Sequence, residues 1–191
     1  MSKKETRRHE IITRLADYFL HNGLGDSGLR RLAEVTDTSD RMLLYYFTNK
    51  DELVAAVLMQ ISTDLARQLD SSFPSHPLKP GVALELLWQM TKSGALTNQL
   101  RLWLEMSGAA NRDHPLYSPI VKQISSDWIA WLSELLECPE SQGSAIAVLI
   151  LSTIDGQVIM FPNDLGQGDS AIDLLKQLLD KHFTGTAEQA C

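Results

Sequence analysis

Apolar residues recur with a helical period along nearly the whole chain. Ile11, Leu15 and Phe19, joined by Ile12, Ala16 and Leu20, form one face of a first helix that stops near Asn22-Gly23. Leu29, Leu32 and Ala33 face inward from a short second helix over 28–35, with Asp26 or Ser27 as its cap. A third short helix fits 40–47, after Thr38-Ser39. A fourth starts at Asn49, which has capping-box spacing to Glu52, and runs through Leu53, Val57, Ile61 and Leu65 to about Leu69. Pro74, Pro77 and Pro80 then mark a loop. Beyond it the same period predicts helices at about 81–95, 98–108, 115–137, 141–161 and 169–184. No strand-like alternation lasts long enough to build a sheet, so the expected fold is all-α with about nine helices.

The 191 residues, 44% of them apolar, suffice for one large or two small domains with a real core. Seventeen basic groups against twenty-four acidic ones give a net charge of −7, which excludes nucleic-acid binding by bulk charge. The balance is uneven: residues 1–50 carry +2 and residues 51–191 carry −9. A mildly basic head on an acidic body suggests that one end meets a polyanion. The charged N-terminus has no apolar leader region, and the longest unbroken apolar run, Ala145–Leu151, falls short of a span of roughly 20 residues. A cytoplasmic protein without membrane contact is expected. Cys138, Cys191 and five scattered histidines show neither a disulfide framework nor metal-ligand spacing. No nucleophile–base pair or phosphate-cradling glycine loop stands at useful spacing, so no enzyme, metal or cofactor is expected.

The chemistry concentrates in the first fifty residues. Two short helices joined by Thr36-Asp37-Thr38 have helix-turn-helix spacing. The turn needs a left-handed residue, and Asp37 serves because its short carboxylate can bond locally. Leu32, Val35, Leu43 and Phe47 would form the small core that fixes the interhelical angle. The third helix then presents Asp40, Arg41, Met42, Tyr45 and Tyr46 outward, on an element sized for one major groove. Arg41 suits guanine and Met42 suits a thymine methyl. Tyrosine hydroxyls, Lys50 and the first amides of the fourth helix suit phosphates. Ser27, Arg30 and Ser39 complete the expected DNA-facing set.

The stretch Leu29-Arg30-Arg31-Leu32-Ala33-Glu34, followed by Ser39-Asp40-Arg41-Met42-Leu43-Leu44-Tyr45-Tyr46-Phe47-Thr48-Asn49-Lys50-Asp51-Glu52-Leu53, resembles the DNA-binding signature of TetR-family transcriptional regulators. The ungapped match covers about residues 10–58. Three positions depart from the pattern: Asp37 stands where the family usually has glycine, Asp40 where it has a basic or small residue, and Leu44 where a tyrosine commonly touches phosphate.

The resemblance implies a helical body that encloses a small-molecule cavity and pairs with a second copy. Trp88, Trp103, Met106, Tyr117 and Trp128 are the candidate lining residues. Gln60, Asp64, Glu105, Asn111 and Gln157 are sparse polar points able to orient a ligand. Periodicity alone places Trp128 and Trp131 on a core stripe with Tyr117, Ile120, Ile124, Leu132 and Leu135. Ile146, Leu149, Ile150, Thr153 and Ile154, with Ile172, Leu175, Leu178 and Leu179, form two broad apolar faces. These could make half of a four-helix dimer interface, or an ordinary internal core. The expectation is a helix-turn-helix domain over 1–50 and a ligand-binding and dimerisation domain over 51–191. The chain would act as a homodimeric, ligand-responsive regulator, a repressor released by an effector from a palindromic double-stranded DNA operator. The alternative is a helical small-molecule-binding or protein-interaction module whose DNA head has lost function, with Asp37 and Asp40 as its marks.

Overall fold

The structure, a computed structural model, describes residues 2–74 and 76–188. Nine α-helices follow one another among them: α1 (Lys3–Asn22), α2 (Leu29–Val35), α3 (Asp40–Tyr46), α4 (Lys50–Ser72), α5 (Pro80–Lys92), α6 (Thr97–Ala110), α7 (Tyr117–Leu135), α8 (Glu140–Met160) and α9 (Asp169–Glu188). A 3-10 turn, Leu165–Gly168, leads into α9. Among the described residues the one β-type pairing is an isolated bridge between Leu78 and Leu136. The fold is all-α, and the helix order follows the apolar period of the sequence.

The helix ends correct that reading in detail. Ser2 caps α1 in a reciprocal box, its hydroxyl accepting from Glu5 N while Glu5 accepts from Ser2 N at 2.7 Å. The cap of α2 is Gly28, with no side-chain bond, rather than Asp26 or Ser27. Asp26 instead faces Arg31 at 3.7 Å. At the start of α4, Asn49 accepts from Glu52 N at 2.8 Å, but the Glu52 carboxylate reaches past Asn49 to Thr48 N at 2.6 Å. Pro80 opens α5, where its missing N–H costs nothing. Gly94, at φ 83, lies just past the end of that helix.

Contacts divide the chain into two units. The first takes the residues up to Leu69 together with Asn98–Ser125; the second takes Asp70–Thr97 and the chain from Ser126 onward. The first unit buries Ile11, Leu15 and Phe19 of α1, Leu32 of α2, Leu43 and Phe47 at α3, and Leu53 and Val57 of α4. Val35, expected in this small core, is half-buried. The second unit packs α5 against α9, with Lys176 ion-paired to Glu85. Trp88 is 2% exposed there, and its indole N–H donates to Asp169 at 2.7 Å. The Lys92 ammonium and then the Trp88 N–H hold the Asp169 carboxyl below its ordinary value.

Candidate nucleic-acid interface

The turn between α2 and α3 is fixed from several sides. Thr36 is fully buried, and its hydroxyl donates to Leu32 O at 2.8 Å, closing the end of α2. Asp37 follows at φ 51, the left-handed backbone the turn requires. Arg14 of α1 donates to the Asp37 carboxylate at 2.5 Å, and Arg7 donates to Thr36 O at 3.3 Å. Ser39 then caps α3 by accepting from Met42 N. Leu43 and Phe47 plug the underside of α3 into the core. A seven-residue helix thus stands on a rigid turn with its other side open.

That open side carries most of the expected DNA-facing residues. Ser39, Asp40 and Arg41 are exposed, and Arg41 has no ion-pair partner among the described residues. Met42 is 39% and Tyr45 60% exposed, while Tyr46 is half-buried with its ring edge-on to Tyr45. Lys50, at the start of α4, and Arg30, in the first turn of α2, are exposed, Arg30 only loosely paired with Glu34 at 3.5 Å. Ser27, in the loop before α2, is half-buried. The first amides of α4 are likewise less available than expected: Asn49 takes Glu52 N, and Asp51 and Glu52 put negative charge on that turn.

Two sets of contacts at the site were not legible in the sequence. The Lys4 ammonium lies 4.8 Å from the centre of the Tyr45 ring, and the Arg8 guanidinium lies 4.6 Å from that of Phe47. Leu44, which the sequence marks as a departure at a DNA-contact position, is 46% exposed. Glu105 of α6 places both carboxylate oxygens on Leu24 N, at 3.1 and 3.0 Å, and so holds the loop between α1 and α2. Gly23 makes room for that carboxylate: at φ 73, a Cβ there would lie 2.7 Å from Glu105 Oε2. Glu105 is therefore a positioning group rather than the ligand point expected of it. Tyr117, packed on His114 with ring centres 4.6 Å apart, has its hydroxyl pKa raised, first by burial and then by the Glu105 charge.

The other candidate ligand residues are dispersed within their units. Gln60 and Asp64 bond to each other along α4 at 2.8 Å, and Asp64 also pairs with Arg67, a surface ladder. Asn111 is exposed. Trp88 and Met106 are packed in their own cores, while Trp103, Tyr117 and Trp128 are half-buried. Gln157 is different, since its Oε1 is buried against Gly168 with no donor. In the second unit Trp128, Trp131 and Phe73 stack edge-to-face in series, and Trp131 donates to Asp70 at 2.6 Å. An open cleft of about 380 Å³ lies beside them, lined by Asp70, Phe73, His76 and Glu134 among others.

The apolar faces of α8 and α9 divide in two. Ile146, Ile150 and Ile154, with Ile172 and Leu179, are buried in the unit's own core and cannot also meet a partner. Thr153 and Leu175 are half-buried. Of the expected interface, Leu149 and Leu178 remain exposed, as are Val148, Ile159 and Met160 of α8 and Leu174 of α9. α8 is also long and apolar enough to cross a membrane by length and composition.

The sequence matches no protein-family model and no curated protein. Solved structures do match over nearly the whole chain. A TetR-family transcriptional regulator from Cytophaga hutchinsonii is 16% identical with a TM-score of 0.73, covering 95% of this chain and 96% of its own. The multidrug-binding protein EbrR, complexed with proflavin, is 19% identical with a TM-score of 0.65, covering 92% and 98%. FadR of Bacillus subtilis, a transcriptional regulator in complex with stearoyl-CoA, is 16% identical with a TM-score of 0.62, covering 90% and 96%. The chain therefore has the all-α fold of TetR-family transcriptional regulators.

Proposed function

We propose that the protein is a ligand-responsive transcriptional regulator that docks α3 in the major groove of a double-stranded operator. One observation carries this reading: α3 stands on a turn held by Arg14 and Asp37 and presents Arg41 exposed and without an ion-pair partner among the described residues, with Lys4 against Tyr45 of the same helix. A guanidinium so placed can donate to guanine O6 and N7 together. The exposed cations Lys4, Arg30 and Lys50 suit phosphates, which set register rather than sequence. Asp37, counted above as a mark of a lost DNA head, is accounted for by the turn it makes, and that weakens the alternative reading.

One seven-residue helix reads too few base pairs to be selective. The protein is accordingly proposed to act as a homodimer on a palindrome, its copies joined through the exposed apolar residues of α8 and α9. An effector that prefers one spacing of the two heads weakens operator binding by the factor by which the operator weakens effector binding. Tenfold release needs about 1.4 kcal/mol of differential affinity. That neighbours of this fold hold proflavin and stearoyl-CoA supports a small-molecule effector, and repression relieved by it is the simplest use of such coupling. The setting would be the cytoplasm, where the operator is.

The test is Arg41→Ala in a gel-shift titration on duplexes selected by the protein from its source genome. Binding should weaken by about 5- to 150-fold, matching about 1–3 kcal/mol for a bidentate guanine contact. The oligomeric state should not change. Unchanged binding, or binding without steep salt dependence, would remove α3 from the groove.

A further inference from the structure

We infer that α3 reads thymine methyl groups through Leu44 and Met42, so that each operator half-site carries thymines beside the base pair that Arg41 meets. This deepens the DNA-binding reading above and rests on it. The buried side of α3 is used up by Leu43 and Phe47. Its open side holds one unpaired cation, Arg41, and three largely apolar side chains, Met42, Leu44 and Tyr45, which are 39%, 46% and 60% exposed. Leu44 follows Arg41 by three positions, and Tyr45 follows Met42 by three, so the four side chains lie on neighbouring rows of the helix.

A single exposed leucine needs no explanation. Three apolar groups around one exposed arginine on a seven-residue helix are a different surface. Lys4 stands over the Tyr45 ring, the Arg30 side chain is 89% exposed, and Lys50 is open at the start of α4. Asp40, at the start of α3, repels backbone phosphates and among base edges can accept from cytosine N4. An exposed arginine with apolar neighbours on either side of it along one open helix face matches a major groove containing thymine, whose C5 methyl is the apolar group that groove offers. A second copy fits this face poorly, since pairing two heads through it would bring Arg41 and Lys4 of both together.

The experiment begins with full-length protein selecting duplexes from a random pool. Single thymines of a selected half-site are then replaced by deoxyuridine, which removes the methyl and leaves every hydrogen bond. Fluorescence anisotropy at fixed salt should show a loss of about three- to tenfold at one or two positions per half-site. Leu44→Ala or Met42→Ala, both at exposed sites, should bind the thymine and uracil duplexes alike at such a position. Selective binding that tolerates uracil everywhere overturns the proposal and leaves the regulator reading standing. So does a uracil penalty that persists in full in both variants. Failure to select any duplex overturns both. Self-association of the wild type that Leu44→Ala abolishes, seen by sedimentation, assigns the face to a second copy and overturns the proposal as well.

Discussion

Asp37 occupies a backbone conformation that costs an ordinary L-residue about 1–2 kcal/mol. Its carboxylate offsets part of that cost by pairing with Arg14, an exposed ion pair worth at most about 1 kcal/mol. The two contributions separate by substitution. Asp37→Gly loses the pair but relieves the backbone, so its urea midpoint should correspond to a change of no more than about 0.5 kcal/mol. Asp37→Ala loses the pair and keeps the strain, and should cost about 1–2 kcal/mol more. Equal midpoints for the two variants would mean that the turn is not held by its φ at all. The sequence already marked position 37 as left-handed, from its place between two short helices. Arg14, twenty-three residues away, carried no local sign of being its partner.

Among the elements, the loop between α1 and α2 shows how a short link is held. Leu24 is buried, and its N–H faces the Glu105 carboxylate, a bond strengthened by charge. Removing that acceptor in Glu105→Ala leaves a part-buried amide to find water. The expected loss is about 1 kcal/mol, the low end of the range for an unpaired donor, because Glu105 itself is exposed. Glu105→Gln keeps a neutral acceptor and should lose less. Hydrogen exchange at the Leu24 amide should quicken in the alanine variant, and an unchanged rate would show that the contact does not hold the loop. Periodicity placed Glu105 beside an apolar run and no more, so reading it as a ligand point followed from polarity without direction. The direction came from α6 packing beside the end of α1.

For the molecule as a whole, the open question is what covers Val148, Leu149, Ile159, Met160, Leu174 and Leu178, all exposed in the second unit. Along α8, Leu149, Thr153, Gly156 and Met160 follow at intervals of four, three and four, a continuous helical row. Nothing lies within 4 Å of where a Cβ on Gly156 would sit, so a second helix can approach closely there. α8 is long and apolar enough to cross a membrane because its apolar groups serve two surfaces, an inner core and an outer face. Sedimentation of the wild type should give a dimer, and Leu149→Glu with Leu178→Glu should give a monomer of unchanged helix content, since neither side chain belongs to the core. A monomeric wild type would remove the pairing, and with it docking on two half-sites at once.

The sequence by itself determined the helices, their order and the turn at Asp37, because a 3.6-residue apolar period, prolines and a left-handed position act over a few neighbouring residues. It also placed Arg41 on the outward side of α3, since Leu43 and Phe47 define the inward one. Tertiary structure decided what depends on distant partners: Arg14 on Asp37, Lys4 over Tyr45, Glu105 on Leu24, and which apolar residues of α8 and α9 the chain keeps for itself. An amphipathic period tells that a face is buried. It does not tell whether the surface burying it belongs to the same chain, and that depends on where helices far apart in sequence come to rest.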